Sequence, residues 1–467
     1  MAREELPLAL GEGRAASRFV SSRTLVNCFL EPSGGRLALY GGPGFTLRKT
    51  LDTLPLRGIY PFGDVLIAVS GDRLYTVTEG GTATDRGNIE TTGPVDISDN
   101  GLQAVIVGDT KSYALDGTTY ALTQITDADL GQLTSIDFSD QYMIGSVANS
   151  GRFQISALAD GTSWDALDVA TAEARPDNLW RVWVDNRDLL LMGKTTIEGQ
   201  YNSGASPFPF ERSQLFLEIG LAGRDCVAAV DNSVAFLAND GTVRIIRGGT
   251  AVVISTPAIA DIIASWTVPG NAQAFSFTLR NHSFWVLRHA EGCVMWDASL
   301  GGNPEQAWSV RKSYGSDTWR IAYAANIWSK TIFGDADTGK LYTMDVNTHA
   351  EADDPLVREL VSMAMGPGGV PFTLNGVEIL FEPGVGIVTG QGSDPEVWMQ
   401  LSRNSGRTFG ARVTRKLGAR GNYEKRIIWQ SGYGQFRPEG GVISLGCSDP
   451  VPFVLKQAFA DFTPDSP

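Results

Sequence analysis

The stretch GDVLIAVSGDRLYTVTEGGTATDRGNI, from Gly63 to Ile89, decides the fold that this sequence predicts. It contains an apolar run (Asp64 to Val69), a Ser-Gly-Asp turn, an alternating run (Arg73 to Thr78) and a further turn before a more polar strand. Short β-prone runs separated by Gly, Asp and Asn are typical of an antiparallel meander. One such small sheet cannot bury both of its faces, so it needs copies of itself to pack against.

The same unit recurs along the chain at intervals of 37 to 49 residues, and we count seven units between Leu56 and Asn347. The turns between the first two strands of successive units are marked by Gly63, Asn100, Asp140, Asn186, Asn232, Asn281 and Asn326. This period, with about four strands per unit, predicts an all-β chain with a β-propeller of about seven four-stranded blades. Six blades would result if one unit serves as a connector, and stacked β-sandwiches with accidental spacing are the alternative.

The remainder of the chain does not follow the repeat. We predict that residues 1–54 form an N-terminal β segment that packs with the C-terminal domain, and that the propeller spans residues 55–355. Residues 356–467 are again β-rich and predict a β-sandwich-like domain formed by the C-terminal region and the N-terminal segment.

Helical patterns are scarce in this sequence. Asp165 to Ala174 and Thr256 to Trp266 predict one helix each, the second with Thr256 before Pro257 as a start signal. Glu351 to Met365 predicts a third helix or a linker. The tail from Thr463 to Pro467 is predicted to be disordered.

Composition narrows the classes of function. The chain has 467 residues and a net charge of −14, which argues against general DNA binding because phosphate contacts need clustered Lys and Arg. The four cysteines are far apart and without a CxxC pair, so we interpret them as structural thiols and not as disulfides or zinc ligands. No apolar run approaches the length of a membrane span.

Catalytic and metal-binding motifs are not evident in the sequence. Gly193-Lys194-Thr195 lacks the first glycine of a phosphate-binding loop, because that position is Asp188. The histidines are few (His282, His289 and His349) and are interpreted as surface or turn residues. We therefore predict no catalytic residue, no cofactor and no metal ion, and a protein that is not an enzyme.

Ser402 to Phe409 is similar to the Asp-box of sialidase-like propellers, with Asn404 in place of the Asp and Phe409 in place of the Trp. In that motif the polar residue fixes a hairpin turn and the aromatic side chain fills a core. The similarity therefore predicts a β-hairpin and not a sialidase.

A basic cluster stands out in this acidic chain. Eight basic residues and one acid, Glu424, lie between positions 403 and 426: Arg403, Arg407, Arg412, Arg415, Lys416, Arg420, Lys425 and Arg426. They predict either a solvated face of a strand pair or a docking patch for an acidic partner, for which a second copy of this acidic chain is one candidate.

Several motifs, in the same order along nearly the whole chain, carry a family resemblance. They are Asn27 to Glu31, Gly42 to Phe45, Ser156, Asp160 to Trp164, Leu167-Asp168, Ala172-Glu173, Pro176-Asp177, Phe208 to Phe210, Ser402 to Phe409, Gly421 to Tyr423 with Arg426, and Ser448 to Pro450. Together they resemble the tail-hub proteins of short-tailed double-stranded-DNA phages, also called nozzle or packaged-DNA-stabilisation proteins.

The resemblance implies a structural virion protein that forms a ring of identical copies, a hexamer, below the portal and its adaptor ring. The ring would extend the DNA ejection channel, help to retain the packaged genome and bear on the attachment of tailspike or needle and fibre proteins. DNA would pass through its lumen without specific binding, and the ring would be found in the virion tail after assembly in the host cytoplasm.

Two further classes of function remain open on the sequence. A carbohydrate-binding or glycoside-hydrolysing propeller is favoured by the predicted fold and the Asp-box-like turn alone, and fold does not imply function. A propeller scaffold for cellular protein assembly is the other.

Overall fold

The computed structural model describes residues 2–33, 35–172, 175–366, 369–430 and 433–465. Five strands precede the first repeat: β1 (Ala2–Leu6), β2 (Thr24–Val26), β3 (Cys28–Ser33), β4 (Arg36–Gly41) and β5 (Gly44–Thr50). They join three different sheets, as described below.

Five antiparallel sheets of four consecutive strands follow. Sheet 1 contains β6 (Leu56–Phe62), β7 (Val65–Ser70), β8 (Arg73–Val77) and β9 (Ala83–Asn88). Sheet 2 contains β10 (Asp96–Asp99), β11 (Gln103–Val107), β12 (Ser112–Asp116) and β13 (Leu122–Gln124). Sheet 3 contains β14 (Leu133–Ser139), β15 (Tyr142–Val147), β16 (Arg152–Ala157) and β17 (Asp160–Thr171). Sheet 4 contains β18 (Leu179–Asp185), β19 (Asp188–Gly193), β20 (Ile197–Asn202) and β21 (Phe210–Leu217). Sheet 5 contains β22 (Val227–Val230), β23 (Ser233–Leu237), β24 (Val243–Arg247) and β25 (Thr250–Val253).

Two further sheets complete the series. Sheet 6 contains β26 (Gln273–Leu279), β27 (His282–His289), β28 (Gly292–Asp297) and β29 (Trp308–Val310). Sheet 7 contains β30 (Ile321–Ile327), β31 (Lys330–Asp335) and β32 (Lys340–Asp345), and its fourth strand is β5.

The seven sheets form a closed ring. Each neighbouring pair shares one apolar cluster, and the cluster between sheets 7 and 1 combines Leu56, Leu66 and Ala68 with Ile332 and Leu341. The first strand of every sheet lines a common axis, and β30 contacts β6. Each sheet thus buries both faces against its neighbours, and the predicted β-propeller is confirmed.

Strand β5 closes the ring with a segment from near the start of the chain. It is antiparallel to β32, with Thr46 opposite Thr343 and Phe45 opposite Met344. Gly44 is required at its start, because a Cβ there would lie 2.1 Å from the carbonyl oxygen of Ala350. The prediction had placed the entire segment 1–54 with the C-terminal domain, whereas this strand belongs to the propeller. The domain boundaries after residues 54 and 355 otherwise stay a prediction.

The C-terminal strands form a sandwich with the other N-terminal strands. They are β35 (Arg358–Val361), β36 (Phe372–Phe381), β37 (Glu396–Ser402), β38 (Val413–Lys416), β39 (Ile427–Gln430), β40 (Gln435–Phe436), β41 (Val442–Cys447) and β42 (Val454–Pro464). The two short strands before them, β33 (Ala350–Glu351) and β34 (Asp354–Pro355), instead extend sheet 7 beyond β5. One layer has the order β3-β4-β42-β36-β39, with β1 beside β42 and β40 beside β36, and the other has the order β2-β35-β41-β37-β38. One apolar cluster, which includes Leu25, Leu39, Val377, Trp429 and Ile443, lies between the layers.

The second layer continues into the propeller. Strand β2 pairs with β35 on one side and, through Val26 opposite Val310, with β29 on the other. Sheet 6 and the sandwich layer are consequently one nine-stranded sheet.

Of the helix predictions, one is confirmed and one is wrong, and the range predicted as a helix or a linker is not helical. Helix α1 (Pro257–Ala264) is capped by the Thr256 side chain, and a one-turn helix, α2 (Pro304–Ala307), was not predicted. Residues 165–171 lie in β17, where 169–171 pair with β16 and 165–168 form a bulge between that pairing and the pair of Trp164 with Ser156. Pairing on both sides of the bulge overrides the helical propensity of this range; Glu173 and Ala174 fall outside the described residues. The range Glu351 to Met365 contains β34, β35 and the second residue of β33.

Two smaller expectations also need correction. Asn326 lies inside β30, where its amide oxygen accepts from Thr331 Oγ1, and the turn is made by Trp328 and Ser329 at positive φ. Thr463 and Pro464 belong to β42 and pair with β36, so they are ordered; residues 466 and 467 lie outside the described part of the chain. Neither helix among the described residues is long and apolar enough to cross a membrane.

Candidate interaction surfaces

The basic cluster lies at one edge of the sandwich. Arg403 and Arg407 occupy the hairpin after β37, and Arg412, Arg415 and Lys416 lie in or next to β38. Arg420 and Lys425 lie in the loop before β39, and Arg426 immediately precedes that strand. All of them are exposed except Arg415, which is half-buried.

Most of the cationic groups keep their charge unpaired. Lys416 lies 2.7 Å from Glu396, and Arg426 lies 2.7 Å from Glu378. Among the residues that the structure describes, no carboxylate lies within ion-pair distance of the other six side chains: Arg403, Arg407, Arg412, Arg415, Arg420 and Lys425. This edge therefore carries six cationic side chains without a described carboxylate partner, and its use as a docking patch stays a prediction.

Aromatic and backbone contacts orient three of these arginines. The Arg412 guanidinium lies 4.4 Å above the ring of Trp398, and that of Arg403 lies 5.3 Å from the ring of Phe436. Arg415 Nε donates to the carbonyl oxygen of Ile428, 2.9 Å away, and so ties β38 to β39. Stacked and hydrogen-bonded guanidinium groups lose less side-chain freedom on binding a partner than free ones.

The hairpin predicted from the Asp-box-like motif is present. Asn404 Oδ1 accepts from the Thr408 backbone N–H at 2.9 Å, and Ser402 Oγ accepts from the Gly406 backbone N–H at 2.9 Å. Phe409, which would fill a core in the motif, is only half-buried. The turn role of the motif thus applies here, while its aromatic residue is left at the surface.

Phe409 lies instead in the wall of a groove of about 550 Å³. Met399, Leu401 and Val413 complete its apolar lining, and Arg403 lies at its edge. We call this feature the Phe409 groove. The sequence did not predict it, since its walls come from two strands, a hairpin and residue 433.

A second cavity lies on the propeller axis and has a volume of about 450 Å³. The first strands of all seven sheets contribute to its lining, which includes Tyr60, Asp137 and Trp183. Its size suits a small ligand. The sequence analysis identified none of these residues, because strands that lie far apart in the chain bring them together.

The charged groups of this axial cavity bind one another. Arg181 forms ion pairs with Asp96 and, at 3.6 Å, with Asp225. Asp96 also accepts from the Ile136 backbone N–H at 2.9 Å, and Arg224 donates to the carbonyl oxygen of Pro94 at 2.9 Å. These contacts connect sheets 2 to 5, so the side chains hold neighbouring sheets together.

Asp137 is the exception to this pairing. Its carboxylate accepts from the backbone N–H groups of Val184, at 2.7 Å, and Phe138, at 2.8 Å. Burial raises the pKa of this carboxyl from the usual value near 3.8 to about 6, more than these two hydrogen bonds lower it.

We expect Asp137 to make stability decrease between about pH 4 and pH 7. The folded state binds the Asp137 proton more tightly than the unfolded state, so the stabilisation is complete below the unfolded pKa and is lost as the pH rises through about 6. The loss should be on the order of 2 kcal/mol. Asp137→Asn should remove it, as seen in the free energy of unfolding from urea denaturation at pH 4 and pH 7.

Asp261→Asn, at an exposed position on α1, is the control and should leave the pH profile of the wild type unchanged. If the free energy of unfolding changes equally with pH in the wild type and in Asp137→Asn between pH 4 and 7, this role of Asp137 is contradicted.

The histidines differ from the prediction of surface or turn positions. His282 and His289 are 6% and 7% exposed and lie at opposite ends of β27. His282 Nδ1 lies 2.6 Å from Asp297 Oδ2, and this hydrogen bond raises the pKa of the imidazole. In the described part of the chain, no three His, Cys, Asp or Glu side chains are arranged to hold a metal ion.

The four cysteines are free and buried, in accordance with the interpretation as structural thiols. Burial raises the pKa of the Cys28 and Cys293 thiols to about 12. Such thiols are inert at neutral pH.

Comparisons with known proteins follow the same division of the chain. The sequence model described as bacteriophage P22 Gp10, beta-propeller, matches residues 5–349, and that described as bacteriophage P22 Gp10, beta-sandwich, matches residues 358–459. No curated protein matches the chain in sequence.

The solved structures that match the chain share little sequence with it. The computationally designed protein Ika8 has 15% identity and a TM-score of 0.40, with 69% of this chain and 100% of that chain covered. A chain of the mitotic checkpoint complex has 11% identity and a TM-score of 0.43, with 64% and 93% covered. YCF48 from Cyanidioschyzon merolae has 10% identity and a TM-score of 0.41, with 64% and 98% covered. These similarities carry no argument about function.

The two Gp10 matches cover most of the chain, and they agree with a propeller followed by a sandwich and with the motifs noted in the sequence. The chain therefore belongs to the bacteriophage P22 Gp10 family, the tail nozzle or DNA-stabilisation proteins of short-tailed phages, and is a structural protein of the phage tail.

Proposed function

We propose that this chain forms a hexameric ring that extends the DNA ejection channel below the portal and its adaptor ring and helps to retain the packaged genome. Assembly takes place in the host cytoplasm, on the adaptor ring protein, and the finished ring bears tailspike or needle and fibre proteins.

The axial cavity of the propeller is the observation that carries this proposal. A volume of about 450 Å³, partly bridged by the Arg181 ion pairs, has no room for a DNA duplex. DNA must then pass outside the propeller, through a lumen that several copies build together. A closed ring of identical subunits is the usual solution for such a lumen.

The charge distribution favours a passage that does not grip DNA. The first 355 residues carry 42 acidic and 27 basic residues, whereas residues 356–467 carry 10 and 11. An acidic wall repels phosphate, so DNA slides past it without specific contacts.

Light scattering and negative-stain microscopy test the proposal. The expected result is a mass six times the 50.2 kDa of the chain and a ring with an open centre, either for the protein alone or after addition of the adaptor ring. A protein that stays monomeric under both conditions would overturn the proposed channel.

A carbohydrate-binding or glycoside-hydrolysing propeller is the second candidate. It is favoured by the axial cavity, where Trp183 and Tyr60 lie near the Asp137 carboxyl. Turnover of an aryl glycoside that Asp137→Asn abolishes would support it, and the absence of both binding and turnover would remove it.

A further inference from the structure

A bulge in sheet 3 projects an apolar side chain into solvent. The pairing of β17 with β16 jumps from Val169 opposite Gln154 to Trp164 opposite Ser156, so residues 165–168 leave the ladder. Leu167, at its tip, is 85% exposed. An apolar side chain presented in this way is a candidate contact for a partner.

The bulge is held in place by its surroundings. Trp164 is buried at its base, and its backbone N–H donates to Asp127 at 3.0 Å. The buried Gln154 amide donates to the carbonyl oxygens of both Asp129 and Asp165, at 2.8 Å and 3.1 Å. The bulge is therefore ordered before any partner binds, which reduces the entropic cost of binding.

Four acids lie in or beside the bulge. Asp165 and Asp168 flank Leu167 in the chain, while Asp127 accepts from the Trp164 backbone N–H and the carbonyl oxygen of Asp129 accepts from Gln154 at the base of the bulge. None of them forms an ion pair with a described residue. We call Leu167 and these four acids the Leu167 knob.

The Phe409 groove has the complementary chemistry. Its apolar lining of Met399, Leu401, Phe409 and Val413 could cover a leucine side chain and its adjoining backbone, and its volume of about 550 Å³ is sufficient for both. The Tyr433 hydroxyl in its wall is buried without a hydrogen-bond partner among the described residues.

The charges beside the groove match those of the knob. Arg403 lies at its edge, and Arg407 and Arg412 flank the hairpin and the strand that form its walls. No carboxylate of the described chain neutralises these three guanidinium groups. Opposite charges around an apolar contact set the register of a complex and accelerate its formation.

We propose that the Leu167 knob of one copy of this chain docks into the Phe409 groove of the next copy. The two surfaces are different, one on sheet 3 of the propeller and the other at the edge of the sandwich, so the contact is heterologous. Heterologous contacts generate rings when the rotation closes. This inference rests on the proposed ring, to which it assigns the subunit interface.

Two variants that each break one side of the contact provide the test. Leu167→Asp places a fifth carboxyl at the knob, and the double variant Arg407→Glu with Arg412→Glu reverses the charge beside the groove. Each should weaken self-association about 100-fold and be monomeric at a concentration where the wild type is a ring. Both change exposed residues, and circular dichroism establishes that they are folded.

Mixing the two variants is the decisive measurement. Leu167→Asp retains an intact groove, and the double arginine variant retains an intact knob. The knob of the second can therefore bind the groove of the first, but no further contact can form, so light scattering should show a heterodimer and nothing larger. Leu102→Asp, at another exposed leucine, and Lys456→Glu, at an exposed lysine, are the matched controls and should form the wild-type ring.

The outcomes separate this inference from the proposed function. A wild-type ring that both variants still form would overturn the knob contact and leave the ring intact. Monomeric variants that do not dimerise when mixed would also overturn it, because the two surfaces would then have other partners. A wild type that is monomeric at every concentration, with and without the adaptor ring, would remove the ring and the interface together.

Discussion

Arg358→Ala should lower the free energy of unfolding by about 3–5 kcal/mol. Arg358 is fully buried where the propeller meets the sandwich. Its guanidinium donates to the carbonyl oxygens of His349 at 2.7 Å, Val451 at 2.9 Å and Asp449 at 3.2 Å. Truncation leaves the carbonyl oxygens of His349 and Val451 without this donor, whereas that of Asp449 still accepts from the Val451 backbone N–H at 2.8 Å. Each unsatisfied buried acceptor costs about 1–3 kcal/mol.

Urea denaturation followed by tryptophan fluorescence measures this cost. Arg437→Ala, at an exposed position of the sandwich, is the control and should change the free energy of unfolding by about 0.5 kcal/mol or less. A loss below about 1 kcal/mol for Arg358→Ala would mean that water replaces the guanidinium as donor.

Phe45→Ala should destabilise the protein by about 3–5 kcal/mol through the closure of the ring. Phe45 is fully buried in β5, with its ring centroid 4.6 Å from that of Tyr342 and 6.1 Å from that of Phe333. The truncation removes aromatic surface and leaves a cavity between sheets 6 and 7.

The neighbouring Leu47 provides a control in the same strand. Its side chain is 47% exposed, so Leu47→Ala should cost about 0.5 kcal/mol or less. Equal losses for the two variants in urea denaturation would show that β5 acts through its backbone pairing alone.

Local signals in the sequence predicted the elements that depend on local chemistry. The repeated strand and turn pattern identified the seven sheets, and Thr256 before Pro257 identified the start of α1, since capping depends on adjacent residues. The basic cluster was likewise identified, because charge is read directly from the sequence.

Features that depend on distant pairing could not be obtained in this way. Residues 1–54 were predicted to form a β segment, but nothing in that segment indicates that β5 pairs with the strand that contains Tyr342. The helix predicted from Asp165 to Ala174 is not formed, because pairing with β16 at Trp164 and at residues 169–171 holds both sides of the bulge, and the propensity of the bulge residues does not decide their conformation. The axial network of Asp96, Arg181 and Asp225 joins three different sheets, so only the closed ring brings it together.

The nine-stranded sheet that runs from β26 to β38 has a mechanical consequence. Domains joined by an exposed linker swing against each other by default, whereas here main-chain hydrogen bonds of β2 bridge the junction directly. A load applied at the sandwich edge is therefore carried into the propeller as shear along paired backbones, and the propeller and the sandwich resist it as one rigid body.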